Sequence, residues 1–526
     1  MTRTEQEKRN FGGPLYRKLQ AYGESDYYGF HMPGHKRLLG QFENPYRFDI
    51  TEIDGFDDLH HPEEDGILTK AQERAARLYG AEETHFLVGG STAGILSAIS
   101  GCTRRGGRIL AARNCHRSVY HAIELGNLKA EYLYPQQIPS LGINGAVCPE
   151  DVEKFLKEER QSGEKDRNTA AEKYGARDER ASEHPVQTVI ITSPTYDGVC
   201  SDVRGIAEVC HRHGIPLIVD QAHGAHFPFS DYFPEDAVSA GADVVIHSVH
   251  KTLPALTQTA ILHIQGRLAD RERIRHFLSV YQSSSPSYVL MASIDACVDL
   301  LERKGTELFR KHVKGLSAFR ESCRDLKTLY LAGDDMAAGY LAETAGRESE
   351  GNGRAAGACD FDRSKLLISA RRTGLSGSRL SELLLERYHL QMEMSGPDYV
   401  VGIASIADTE EGFSRLSRAL HELDREYAGC REKTGRFPGE TGIPRLPFVL
   451  TAAEAAEREK ELCSFSAAAG GIAADYVYLY PPGIPLLVPG ERITEEAVCR
   501  IGEWLKAGFA VHGLREGREL PIVRER

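Results

Sequence analysis

Short apolar runs and amphipathic stretches alternate along most of this chain, and the alternation begins abruptly. Residues 1–60 are rich in Gly, Pro, Tyr and His and hold no sustained period, which reads as an N-terminal arm. From Thr69 the pattern turns helical. Ala71, Ala75 and Leu78 share a face, Thr69 and Gln72 are spaced as a capping box, and Gly80 stands where a helix ends. Beyond it, Arg108–Ala112, 216–220, Val186–Thr192, 242–247 and 259–263 are apolar runs of strand length. Continuous runs of this kind predict strands buried on both faces. Between them, 201–213 predicts a helix capped by Ser201 or Asp202 and closed by Gly214. Strands alternating with helices predict an α/β fold, a largely parallel sheet covered on both sides.

Two stretches break the pattern. Residues 157–184 are crowded with charge and almost free of large apolar side chains, and 345–360 are Gly-, Ala- and charge-rich; both read as surface excursions. The Gly/Pro-rich text around 430–447 predicts a linker before a last unit of roughly 80 residues. At 526 residues the chain exceeds what one core usually serves, so two or three domains are expected.

Composition mainly excludes. A balance of 64 basic against 76 acidic residues argues against nucleic acid as a partner. Eleven scattered cysteines contain no C-x-x-C pair, which leaves no framework for zinc or disulfides and suits a reducing cytoplasm. The opening MTRTEQEKRN has no apolar core of a signal peptide, and no apolar run reaches membrane-spanning length, so no membrane role is expected.

The chemistry gathers at strand ends. The segment 242–252, ADVVIHSVHKT, is an apolar strand that ends in Ser248, His250 and Lys251. Desolvating an ammonium is costly, so a lysine there tends toward a lower pKa and a nucleophilic amine. Alone, such a lysine more often snorkels to solvent. It has company: 216–220, PLIVD, ends in Asp220 about thirty residues upstream. Carboxyl ends of doubly wound strands share one crevice, which would join Asp220 to Lys251. A carboxylate beside a pyridine nitrogen keeps that nitrogen protonated, as the electron sink of pyridoxal chemistry requires. One strand-end Asp is by itself commonly a cap or an ion-pair partner; the ordered pair is the more specific signal. In 86–99, FLVGGSTAGILSAI, glycines, Ser91 and Thr92 precede a helical pattern and suit an anion at a helix N-terminus. An ordinary N-cap explains them as well, and no Gly-Lys-Ser/Thr follows for a nucleotide loop. His116, in the strand-to-helix text NCHRS, would either stack on a flat ring or face solvent.

The ordered set FHMPGHK, GGST, RNCHRS, SPTYDG, DQAHGAH, SVHK, SSSPSY and YPPGIPLLVPGE resembles the bacterial ornithine/lysine/arginine decarboxylase family, from about Tyr16 to about Val511. The resemblance implies a pyridoxal 5'-phosphate enzyme of the aspartate-aminotransferase fold, fold type I. It points to the shorter, biosynthetic-type arginine decarboxylase branch, without the response-regulator-like N-terminal domain of the large acid-inducible enzymes. The implied organisation is an arm at 1–60, a cofactor-binding large domain at 61–300, a small α+β domain at 301–435 and a C-terminal domain at 436–526. Lys251 would hold the cofactor as a Schiff base and Asp220 would pair with the ring nitrogen. His116 would stack on the ring and His223 would sit near its phenolic oxygen. Ser91, Thr92, Ser248 and His250 would hold the phosphate, and Ser283 or Ser284 of a second subunit would complete that site, which makes a homodimer the least working assembly. No metal is implied.

Departures from the family pattern are Gly89 where Asn is frequent, Leu479 where Pro is frequent and Asp475 where Glu is frequent. The last touches a carboxylate suited to a substrate's distal cation, as are Asp54 and Asp57 in EIDGFDDLHHPEED; such an acidic run is more often a solvated loop. Lys36, which also follows a His, lies in a Pro-Gly turn and is expected to lack burial and a partner carboxylate. The expected reaction is decarboxylation of a basic amino acid, arginine before lysine and ornithine, in polyamine synthesis. Aminotransfer or lyase chemistry on the same fold is the second reading. A non-catalytic regulatory subunit is the third, and it predicts degraded site residues, whereas Lys251, Asp220 and His116 all stand.

Overall fold

The computed structural model describes residues 24–36, 45, 48–50, 53, 56–174, 185–333, 360–428, 442–480, 483–516 and 518–524. Seven strands make the central sheet: β1 (Glu83–Leu87), β2 (Arg108–Ala112), β3 (Lys129–Leu133), β4 (Val186–Thr192), β5 (Leu217–Asp220), β6 (Val244–His247) and β7 (Ala260–Ile264). Their order across the sheet is β1-β7-β6-β5-β4-β2-β3. The five strands from β6 to β3 run parallel to their neighbours, and β7 is antiparallel to both β6 and β1. The five predicted apolar runs are β2, β4, β5, β6 and β7, with β5, β6 and β7 buried at every position, as continuous hydrophobic text requires of a doubly covered sheet; β1 and β3, only partly buried, were not among them. Asp220 pairs in register with Thr192 of β4 and Ile246 of β6, so three parallel strands finish flush.

Helices enter at those ends. α1 (Ile67–Tyr79) precedes β1, α2 (Gly90–Cys102) follows it, α3 (Arg117–Leu125) follows β2 and α4 (Val203–Arg212) precedes β5. Gly101 lets α2 approach the helix Arg271–Tyr281 closely: a Cβ there would lie 2.4 Å from Ile274 Cγ1 and 2.9 Å from its Cα. As expected, Asp202 caps α4 by accepting from Gly205 N–H, and Gly214 sits at φ +71° just past its end.

Two local expectations need correction. The capping box does not form. α1 starts two residues earlier, where Asp57 accepts from the N–H groups of Ile67 and Leu68, and Gln72 instead turns inward to accept from Phe86 N–H at 2.9 Å. The charged stretch from 157 is not all excursion either: the helix Pro149–Tyr174 carries its first part, with acidic residues in the first turn favouring the positive helix end. Residues 175–184, most of 345–360 and most of the linker lie outside the described residues.

A long helix, α5 (Tyr288–Ser322), leads from the large sheet to a four-stranded antiparallel one built on β8 (Lys365–Ser369) and β9 (Tyr399–Ile403). The strand Tyr28–Phe30 pairs parallel with Leu390–Met392 and brings the N-terminal segment onto this unit. Near the C-terminus, Val477–Leu479 pairs with Pro485–Leu487 and Val511–His512. This last unit is fastened to the large sheet by a fully buried cluster. Arg113 donates to Glu491 at 3.3 Å, to the Pro485 carbonyl at 2.7 Å and to the Leu486 carbonyl at 3.2 Å, while Glu491 accepts from Val488 N–H at 2.8 Å. Among the described residues no helix is long and apolar enough to cross a membrane.

Candidate active site

The flush strand ends open on a cavity of about 360 Å³, within the range of small-ligand sites. Its floor is Asp220. The carboxylate is 3% exposed, and its one hydrogen bond among the described residues comes from Ala222 N–H at 3.2 Å. Burial pushes its pKa up, and any positive charge on Lys251 pulls the other way. Lys251 stands beside it, in the short helical turn that follows β6, and burial lowers its pKa while Asp220 and Glu393 oppose the shift. Its Nζ lies 3.0 Å from His223 Nε2.

One wall is made for an anion. Gly90, at φ +70°, turns the chain into α2, whose first residues, Gly90, Ser91 and Thr92, line the cavity, where the first turn of a helix leaves N–H groups without intrahelical partners. Ser91 Oγ and Ser248 Oγ meet at 2.6 Å, so two hydroxyls from distant strands converge there. The departure at Gly89 has a steric basis: a Cβ at this position would lie 2.8 Å from that of Ala93. His250 donates through Nδ1 to the Thr259 carbonyl at 2.7 Å, which leaves Nε2 without a proton while the ring is neutral. Burial holds its pKa down to about 4.

His116 caps α3: its Nδ1 accepts from Ser118 N–H and lies 2.9 Å from Ser118 Oγ. That fixes the ring plane on the cavity wall. Burial and then the Lys251 charge depress its pKa to about 4, so it is a neutral, flat, apolar-faced surface near pH 7. Met32, Tyr480 and Ile484 line the cavity as well, and the 480–484 segment runs close to His116: a Cβ on Gly483 would lie 3.9 Å from its Cδ2.

The structure therefore brings together Lys251, Asp220, His223, His116, Ser91, Thr92, Ser248 and His250. Other candidates lie elsewhere. Asp57 is occupied as the cap of α1, Asp475 is paired with Arg515 at 2.8 Å, and Asp54 lies outside the described residues. Ser283 and Ser284 are exposed and line no part of this cavity. Lys36, expected to be open, is 6% exposed; its Nζ donates to the carbonyls of His31 at 3.0 Å and Ile403 at 2.5 Å, with Asp408 near. It braces backbone and does not line the cavity.

Three groups escaped the sequence reading. Lys365, fully buried, places Nζ 2.7 Å from His223 Nδ1. Asp197, whose pKa burial raises to about 6, accepts from Tyr399 OH at 2.9 Å. Glu393 accepts from Met32 N–H at 2.9 Å and from Tyr196 OH. Lys365 opens an apolar strand as Lys251 closes one, and that was its only sequence signal.

The donor set fits pyridoxal phosphate. An unshared buried carboxylate suits a pyridinium, the neutral imidazole suits a ring face, and a hydroxyl-lined helix N-terminus suits a phosphate. Comparisons agree. Residues 13–410 match the family model "Orn/Lys/Arg decarboxylase, major domain", and 447–509 match "Orn/Lys/Arg decarboxylase, C-terminal domain". The chain is 31% identical over 525 residues to an arginine decarboxylase of Halalkalibacterium halodurans, covering 97% of this chain and 98% of the relative. The solved constitutive lysine decarboxylase of Escherichia coli superposes with a TM-score of 0.70 at 21% identity, covering 99% of this chain and 83% of that one. A ureidoglycine-glyoxylate aminotransferase of Bacillus subtilis superposes at 0.52 with 13% identity, over 79% of this chain and 97% of that one; it shares the fold alone.

Proposed function

This chain belongs to the Orn/Lys/Arg decarboxylase family, and from that premise we propose that it removes the α-carboxylate of arginine, with lysine and ornithine as poorer substrates. The reaction class, pyridoxal-phosphate-dependent decarboxylation of a basic amino acid, follows from the family. Relatives named arginine decarboxylase at about 30% identity, against 24–25% for those named lysine decarboxylase, favour arginine. The observation that carries the chemistry is the placement of Lys251 and Asp220 at neighbouring parallel strand ends on one cavity.

Bound there, pyridoxal phosphate supplies the sink for the electron pair released when the carboxylate leaves as CO2. The residues do the rest. Asp220 accepts the hydrogen bond of a protonated ring nitrogen and holds that proton in place. Ser91, Thr92, Ser248 and the α2 N-terminus would hold the phosphate, and His116 would lie against the ring. Lys251 would hold the cofactor through Nζ, and Lys251 or His223, 3.0 Å apart, would supply the proton that the α-carbon takes up. Tyr480, Ile484 and Met32 limit water over the reacting carbon.

Among the described residues the cavity wall holds two carboxylates, Asp220 at the floor and Asp197 hydrogen-bonded to Tyr399, and a third is needed for the distal end of the substrate. We assign that role to Asp54 and the phosphate-completing role to Ser284, both from a second copy of the chain. The exposure of Ser284 supports a homodimer as the working unit. The four-unit division of the chain, cytoplasmic residence and a role in polyamine synthesis belong to the same reading.

Incubating the purified protein with arginine, lysine or ornithine in turn, and measuring CO2 and amine, tests the proposal. Agmatine formed fastest is expected. No CO2 from any of the three rejects it, and a keto acid with pyridoxamine phosphate would move the enzyme to aminotransfer.

A further inference from the structure

His223 is held between two lysines. Lys251 Nζ is 3.0 Å from its Nε2, and Lys365 Nζ is 2.7 Å from its Nδ1. We propose that Lys365 is a positioning residue whose ammonium fixes His223 as the Nε2–H tautomer, and that this tautomer keeps the Lys251 amine uncharged and ready to bond. The proposal rests on Lys251 being the cofactor lysine.

A neutral imidazole has one N–H and one lone pair. An ammonium only donates, so two ammonium groups cannot both be satisfied by the two nitrogens of one neutral ring. A doubly protonated ring is excluded by its surroundings: burial above all, and then the positive charge beside it, hold the His223 pKa far below its usual value. One lysine must therefore be an amine that accepts from the ring.

Geometry says which. The Lys365 contact is the shorter, as expected of the charge-assisted bond. Lys365 is fully buried at the start of β8 and faces three carboxylates, Asp362, Asp197 and Glu393, of which Asp362 is itself fully buried. Lys251 faces two, Asp220 and Glu393. The proton accordingly rests on Lys365, the Nδ1 lone pair accepts it, and Nε2–H points at the Lys251 lone pair. Tyr196 keeps the ring in this plane: the two rings meet edge to face at 4.7 Å, and Lys365 Nζ lies 5.9 Å over the tyrosine ring. An amine has the lone pair that bonding to an aldehyde carbon requires, and an ammonium has none.

The full chain stripped of cofactor provides the test. Acetic anhydride labels amines only when they are uncharged, and peptide mass spectrometry reads the labelling of Lys251 against pH. In the wild type the midpoint for Lys251 should fall at least one unit below that of the exposed lysines. Lys365→Met removes the donor to Nδ1, lets His223 take the other tautomer and lets Lys251 keep its proton. Its midpoint should rise by about one unit, a roughly tenfold slower labelling at about pH 7.5. An unchanged midpoint in a folded variant overturns the proposal. Should Lys365→Met not fold, nitrogen NMR of the wild type with 15N-labelled histidine rings decides instead. A proton on Nε2 and a bare Nδ1 at His223 support it, and the reverse tautomer sinks it. A wild-type chain that takes up no pyridoxal phosphate rejects the cofactor role of Lys251, while the midpoint still reports where the proton lies.

Discussion

The two ends of the cavity are built differently. At the cofactor end each group sits at or just beyond a strand terminus, and several are locked by a second contact: Ser91 to Ser248, His116 to Ser118, His250 to Thr259. At the substrate end the wall is Met32, Tyr480 and Ile484, drawn from segments far apart in the chain, and Tyr480 is 57% exposed. Rigid strand ends fix the chemistry that a fold shares; loops are left to set what it acts on.

Replacing Lys251 by Ala should have the largest effect of any change at the rigid end, with kcat/KM for arginine down by about 10³-fold or more. Retention of visible cofactor absorbance and turnover would remove Lys251 from the chemistry. Asp220→Asn keeps the shape and removes the charge, so about 10²- to 10³-fold loss in kcat with little change in KM is expected. At the other end the signature should invert. Asp54→Asn is expected to raise KM for arginine about tenfold or more and leave kcat within a few-fold, because a charged hydrogen bond to the substrate's far end is worth about 1.5–3 kcal/mol in both ground and transition states. A drop in kcat alone would show that Asp54 belongs to the chemistry.

Two smaller effects concern acid. His116 and His250 have folded pKa values of about 4, below the ordinary 6.5 of an unfolded histidine. As pH falls the unfolded chain binds those protons first, so stability is complete above about pH 6.5 and drains away down to about pH 4. Each ring contributes on the order of 3 kcal/mol across that window. His250→Gln should flatten the fall of the urea midpoint over it. The same histidine should govern anion capture. With Nδ1 committed to Thr259, only the charged ring can donate through Nε2, so sulfate binding to the cofactor-free chain should strengthen as pH falls toward about 4, and His250→Gln should remove the trend. Sulfate affinity that ignores pH would show that the hydroxyls and helix end suffice.

The contrast also explains what could be read from sequence. The strands containing Ile109, Ile190, Ile218 and Val245 were legible because a doubly covered sheet writes itself as unbroken apolar text. Asp220 and Lys251 were legible because they interrupt that text at the edge where ligands bind. Lys365 was not. Its strand belongs to another sheet, and nothing local says that its first residue meets a histidine 142 positions upstream. Asp57 misled because an acidic loop and a helix cap share the same composition. The start of α1 was misplaced for a related reason, since its cap comes from ten residues away rather than from the adjoining turn.

The bond between Arg113 and Glu491 bears on how such enzymes diversify. Arg113 stands three residues before His116, and Glu491 closes the segment that brings Ile484 to the cavity. Losing either partner strands a desolvated charge, at on the order of 3–5 kcal/mol. A C-terminal unit borrowed from another protein to change substrate preference would have to arrive with its own carboxylate at this position. Otherwise the graft would fail in the core before its specificity could be assayed, so new substrate preferences are reached more easily by point changes at Tyr480 or Ile484 than by exchange of the module that carries them.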